Sequence, residues 1–156
     1  MNAVTQSAPR FAAILVGALL TFATPAMGQG GEDGVAAVLE AWAQTYGSAS
    51  SSEEMLTLYD PEAVFWGTGG REPFVGAEQI APYFDQQFSN FTQRRVSFLD
   101  PIIRIYDDAA AVTGRYRFEV QTPDGQALDV THRFSFTLVS EEGEWVIVQQ
   151  HSSQMP

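Results

Sequence analysis

Cysteine and lysine are absent, and histidine occurs twice, as His132 and His151. Without cysteine there is no disulfide, thiol nucleophile or thiolate metal site, so packing alone must hold the domain together. Without lysine there is no Schiff-base chemistry and no phosphate-binding P-loop lysine. Two imidazoles exclude a three-histidine zinc site within one chain, although both histidines with Asp129 or a glutamate would still make a ligand set. We expect no metal and no cofactor. Positive charge is scarce: 8 basic residues, all arginine, stand against 19 acidic ones, giving a net charge of -11. Nucleic acid and anionic membrane surfaces are poor partners for such a chain. Long apolar runs are also lacking. The apolar run Phe11 to Phe22 is shorter than the roughly 20 residues a membrane span needs.

That run follows Arg10, the sole charge before Glu32, and precedes Ala26-Met27-Gly28, a small-x-small sequence; together they read as a secretory signal. Residues 1–28 are therefore expected to be a signal peptide and the protein periplasmic or secreted. Residues 29–156 are the size of one domain with one core.

Within it, Val35, Val38, Leu39, Trp42 and Tyr46 recur at helical spacing up to Gly47. Ser51 or Ser52 caps a short second helix with Glu53 and Glu54 in its first turn, ended by Asp60-Pro61. Ala63 to Trp66 reads as a strand and Gly67 to Gly70 as a tight turn. Gly76 to Phe91 reads as a third helix with Ile80, Phe84, Phe88 and Phe91 on one face; Pro82 predicts a kink or a start near Tyr83. Four extended segments follow (95–106, 109–121, 126–139 and 144–153), divided by turns rich in Asp, Gly and Pro, the pattern of an antiparallel meander. The expected fold is α+β: three N-terminal helices packed on a strongly curved antiparallel sheet.

This order, with its tryptophan-bearing closing strand, resembles the cone of the nuclear transport factor 2-like superfamily, which includes ketosteroid isomerases, SnoaL-like cyclases and small dimeric binding proteins. Sharper motifs are Ala63-Val64-Phe65-Trp66-Gly67-Thr68, the Tyr83-Phe84 that ends Ile80 to Phe84, Gly114-Arg115-Tyr116-Arg117-Phe118, Arg133-Phe134-Ser135-Phe136, and Trp145 to Pro156. They are similar to the branch related to the calcium/calmodulin-dependent protein kinase II association domain and, within it, to secreted iota-class carbonic anhydrases. The resemblance implies a homodimer formed through the sheet and a pocket in which a threonine, a tyrosine and the last serine of the closing strand surround bicarbonate. The matching residues are Thr68, Tyr83 and Ser153. Gln149 and Gln150 stand where that enzyme pattern has histidines, so His151 is the one imidazole retained there.

The residues themselves support several readings. His151 and Ser153, two apart on a strand, share a face with Trp145, Ile147 and Gln149. A three-residue loop at Glu141-Glu142-Gly143 would put Arg133 opposite His151 and Thr131 opposite Ser153, whereas a two-residue loop would break that register. An arginine fork beside hydroxyls suits bicarbonate or another small carboxylate; the plainer reading pairs Arg133 with a nearby acid. Taken singly, Thr68 is a turn hydroxyl, Tyr83 a core aromatic, Trp66 a packing residue and His132 a structural histidine. Taken jointly, Thr68, Tyr83, His151 and Ser153 form the expected catalytic set, with Arg133, Ser152 and Trp66 as substrate-binding neighbours. The expected reaction is metal-free hydration of carbon dioxide, with His151 accepting the proton. The competing readings are an isomerase or cyclase, which needs a carboxylate in an apolar pocket, and a non-enzymatic ligand-binding or dimerisation domain.

Overall fold

The computed structural model describes residues 29–156, so the signal peptide expected at residues 1–28 lies outside the described residues. Helix α1 (Gln29–Ser48) begins earlier than the apolar periodicity suggests. Val35, Leu39, Trp42 and Tyr46 form its buried stripe. Helix α2 (Ser52–Leu56) follows. Its N-cap is Ser51, whose hydroxyl makes no capping bond; instead the Glu54 carboxylate accepts from the backbone N–H and the hydroxyl of Ser50. Strand β1 (Tyr59–Trp66) includes Asp60-Pro61, which serve as strand residues and not only as a helix stop. After the two-residue β2 (Phe74–Val75), helix α3 (Ala77–Asn90) runs on through Pro82. The expected start near Tyr83 is not observed, because the first turn closes ahead of the proline: the Gln79 and Ile80 N–H groups both donate to the Gly76 carbonyl.

The meander consists of β3 (Gln93–Tyr106), β4 (Ala109–Gln121), β5 (Ala127–Glu141) and β6 (Glu144–Gln154), antiparallel throughout as the turns predicted. The sheet order is β2-β1-β6-β5-β4-β3. Strand β1 lies beside β6 in parallel, so the sheet is mixed and not wholly antiparallel. Turn residues reveal hairpin neighbours only; this pairing joins the two ends of the domain by a crossover.

One face of the sheet presents Val112 and Tyr116 from β4 and Phe134, Phe136 and Leu138 from β5, all buried, against the helices. Trp42 lies at the centre, within 5.9 Å (ring centroids) of Phe98, Tyr116 and Phe136. Irregularities in the β1–β6, β3–β4 and β5–β6 pairings bend this face into a cone. The last is decisive for the site. The β5–β6 hairpin turns on two residues, Glu142 and Gly143, both at positive φ (52° and 93°), the conformation favoured in tight hairpins. Farther along, Leu138 pairs Ile147 and Thr137 pairs Gln149, leaving Val148 as a bulge. Arg133 therefore faces Ser153, and Ser135 faces His151. The register expected from a three-residue loop is not formed.

Candidate active site

A bulge inserts one residue and reverses which side chains of its strand point inward. Before Val148 the buried residue of β6 is Ile147; after it the buried residues are Gln150 (2 % exposed) and Ser152 (5 %). His151 is carried to the opposite face, where it is exposed and its ring stands edge-on to Trp66 at 6.4 Å.

The inward groups of β6 meet the glycine-rich loop after β1 and the inner face of β5. The hydroxyls of Thr68 and Ser152 are hydrogen-bonded to each other, and Thr68 Oγ1 also lies 3.4 Å from His132 Nδ1. Deeper in, Trp42 Nε1 donates to the Tyr59 hydroxyl at 2.7 Å, and that hydroxyl donates to Gln150 Oε1. Of these groups, Thr68, Ser152, His132, Trp42 and Gln150 border a cavity of about 170 Å³. Its walls are aromatic and aliphatic, with Phe65, Tyr83 and Phe84 on one side and Tyr116 and Phe118 on the other; Phe91, Leu128 and Val130 line it as well. Gln87 and His132 add polar groups to the lining. Among the described residues no Asp, Glu or Arg lines this cavity, and no three His, Cys, Asp or Glu side chains are grouped so as to hold a metal ion.

Burial governs the protonation of this site. It raises the Tyr83 phenol, opposed by a backbone hydrogen bond from Thr68. It raises Tyr116 further, opposed by hydrogen bonds with Ser152 and Gln150. These phenols stay neutral donors at physiological pH. His132 is shifted the other way: partial burial disfavours its imidazolium and lowers its pKa below 6.5. The cluster thus holds neutral hydroxyls and an imidazole with a free base form at neutral pH, a set able to orient a water molecule and accept its proton.

Of the residues singled out from sequence, the structure brings Thr68, Tyr83 and Ser152 together at the cavity. His151, Ser153, Arg133 and Trp66 do not line it. Arg133 is exposed on the outer face and donates to the Gln154 carbonyl at 3.0 Å. Trp66, 42 % exposed, donates to the Gly70 carbonyl and so tethers the loop that carries Thr68. The imidazole at the cavity is His132, read from sequence as structural. Its alternation with Phe134 and Phe136 places it on the core face of β5, and that signal was available. Gln150 and Tyr116 were missed because their inward placement depends on the bulge and on a pairing between distant strands.

The family model for the SnoaL-like domain matches residues 35–156. The chain belongs to the SnoaL-like family. Solved structures share the fold. A Xanthomonas campestris protein assigned as a calcium/calmodulin dependent protein kinase II association domain is 28% identical, with a TM-score of 0.72 over 78% of this chain and 86% of that one. A nuclear transport factor 2-like superfamily protein from Salmonella enterica is 22% identical, with a TM-score of 0.73 over 84% and 94%. A Streptomyces avermitilis protein assigned as a dehydratase of the same fold family is 12% identical, with a TM-score of 0.73 over 80% and 97%. No curated protein matches at significance. The SnoaL-like cone includes isomerases, dehydratases and ligand-binding domains, and no helix among the described residues is long and apolar enough to cross a membrane.

Proposed function

We propose that this SnoaL-like domain hydrates carbon dioxide in its cone cavity, using Thr68, Ser152, Tyr83 and His132. The observation that carries the reading is the contact between the Thr68 and Ser152 hydroxyls beside the His132 imidazole. Water held by the two hydroxyls attacks the carbon. One carbon–oxygen π pair moves onto oxygen, where the Tyr83 phenol donates a hydrogen bond. The water's proton passes to His132 Nδ1 and then to solvent, leaving bicarbonate. Apolar walls suit the neutral substrate. Without a cation on the lining, the anionic product is held weakly and leaves readily.

Neutral donors stabilise a developing oxyanion far less than a zinc ion, which lowers the pKa of bound water from 15.7 to about 7, so turnover should be slow. Activity should survive chelation. The partner is accordingly a small molecule, with a second copy meeting it at the sheet, and export through residues 1–28 would place the reaction in the periplasm or outside the cell.

The test is stopped-flow hydration of carbon dioxide by the protein with and without chelator. Ser152→Ala removes a hydrogen bond to a group becoming charged, worth roughly 1.5–3 kcal/mol, so the rate should fall about tenfold or more. Ser153→Ala should leave the rate unchanged. No hydration above buffer would sink the reaction, and dependence on Ser153 instead of Ser152 would sink the assignment of residues.

A second reading draws support from cavity size. An apolar cavity near 150 Å³ accepts a benzene-sized molecule, so the chain would then bind or isomerise a neutral single-ring ligand with His132 as base. Saturable quenching of tryptophan fluorescence by such ligands, in protein without hydration activity, would favour it.

A further inference from the structure

Four buried polar groups take no part in the chemistry proposed for the cavity: Trp42 Nε1, the Tyr59 hydroxyl, the Gln150 carboxamide and the Tyr116 phenol. Burying such groups costs free energy unless each is hydrogen-bonded, and here they bond to one another. Apolar residues of the same shape would fill the space equally well. What the polar series adds is direction.

An indole N–H can only donate, and that fixes the rest. Trp42 Nε1 donates to Tyr59 at 2.7 Å, so the single Tyr59 hydroxyl proton is passed on, to Gln150 Oε1. With its carbonyl oxygen engaged there, the Gln150 carboxamide meets the Tyr116 phenol through N–H. Tyr116 thus accepts, and its own proton is directed to its other partner, Ser152. The Ser152 hydroxyl is bonded to Thr68, and Thr68 Oγ1 lies 3.4 Å from His132 Nδ1. Followed in order, every proton points from the centre of the core toward the imidazole. The strands account for this continuity: Gln150 and Ser152 alternate inward on β6 after the bulge, and Tyr116 of β4 is the register partner of His132 on β5. Among the described residues no charged side chain lines the cavity to impose another order.

We propose that Trp42, Tyr59, Gln150 and Tyr116 are positioning residues, a one-way hydrogen-bond series that holds His132 as the neutral tautomer with Nε2–H and an accepting Nδ1 turned to Thr68. This rests on the reading of His132 as the base of the cavity and supplies what makes it one. A neutral imidazole has one donor and one acceptor nitrogen, and the bond made by either decides which is which. In the opposite tautomer Nδ1–H would donate to Thr68, and no lone pair would face the two hydroxyls. With the order set, a water proton given to Ser152 moves the Ser152 proton to Thr68 and the Thr68 proton to Nδ1. Both hydroxyls end neutral and the imidazole carries the charge.

The experiment reads the imidazole nitrogens by long-range proton–nitrogen NMR correlation of the full chain, without substrate, at a pH above the His132 midpoint. His151→Gln assigns the two histidines. In the unaltered protein Nδ1 should show the shift of a pyridine-type nitrogen and Nε2 that of a pyrrole-type one. Tyr59→Phe keeps the ring but removes the bond that holds Gln150 Oε1, so the carboxamide is free to turn over and accept from Tyr116. The order beyond Tyr116 is then no longer fixed, and both His132 nitrogens should move toward the average of the two types. Gln150→Leu, which removes the carboxamide itself, should do the same. Val35→Ala, a core change outside the series, should lower Tm and leave the nitrogen shifts in place, which separates direction from stability. Nitrogens already averaged in the unaltered protein, or unchanged in both Tyr59→Phe and Gln150→Leu, overturn the proposal. Because no substrate is present, absence of carbon dioxide hydration would sink the reaction without touching this result.

Discussion

At the residue scale, the arrangement of the cavity depends on a position without a side chain. A Cβ on Gly67 would lie 2.6 Å from Tyr83 Cζ and 2.9 Å from Phe65 Cε1, distances no real carbon pair occupies. Gly67→Ala must therefore displace Tyr83 or the Thr68 loop. Because the clash is with side-chain rings and not with backbone, we expect the variant to fold and to lose most of its hydration rate; full activity would show that Tyr83 placement is unimportant. His132 gives the pH dependence. As a base it must be neutral, and burial lowers its pKa below 6.5. The rate should hold as pH falls past 6.5 and drop only at the lower folded value, and a histidine NMR titration with a midpoint at or above 6.5 would contradict this. The stability consequence has the same sign. A depressed folded-state pKa favours the neutral form, so its contribution is complete above the unfolded value and is lost as pH falls through the folded one.

At the element scale, both long helices depend on one arginine from the sheet. Neither α1 nor α3 has a basic residue in its last turn. Arg94 on β3 supplies the charge instead: Nε donates to Tyr46 O at 2.9 Å, Nη1 to Phe91 O at 2.9 Å, and Nη2 to Ala49 O, with the guanidinium 4.3 Å from the Phe88 ring centroid. It thus satisfies carbonyls at both helix C-termini and matches their dipoles. Arg94→Met should cost about 2–3 kcal/mol, on the order of 10 °C in Tm by thermal unfolding; a change within 2 °C or so would mean water replaces the guanidinium. Such long-range caps explain what the sequence could and could not reveal. Helices, meander strands and the motif residues Thr68 and Tyr83 follow from periodicity, turn residues and family resemblance. His132 was also legible, in its alternation with Phe134 and Phe136, whereas the inward placement of Ser152 and the outward placement of His151 and Ser153 follow from the bulge at Val148 and the two-residue turn at Glu142-Gly143. Both are decided by pairing energies between strands, and a strand read alone carries no record of them.

At the scale of the whole molecule, charge is separated between the two layers. Glu32, Asp33 and Glu40 on α1, Glu53 and Glu54 on α2, and Glu78 and Asp85 on α3 make the helical layer acidic, whereas the outer face of the sheet carries five arginines. Attraction between the layers is weakened by the core that separates them, but repulsion among the acids acts along one surface at shorter range. With 19 acids against 8 cations, repulsion dominates. Raising salt from 0.01 to 0.1 M shortens the screening length from about 30 Å to about 10 Å. That range spans the separation of charges on a domain of this size, while close pairs such as Arg117–Asp129 are affected less. Added sodium chloride should therefore raise Tm by a few degrees over this interval, and adding Arg115→Gln and Arg133→Gln should increase the rise, because fewer cations remain to offset the acids. A Tm that falls with salt would show that attraction between the layers, and not repulsion within the helical one, sets the electrostatic balance of the fold.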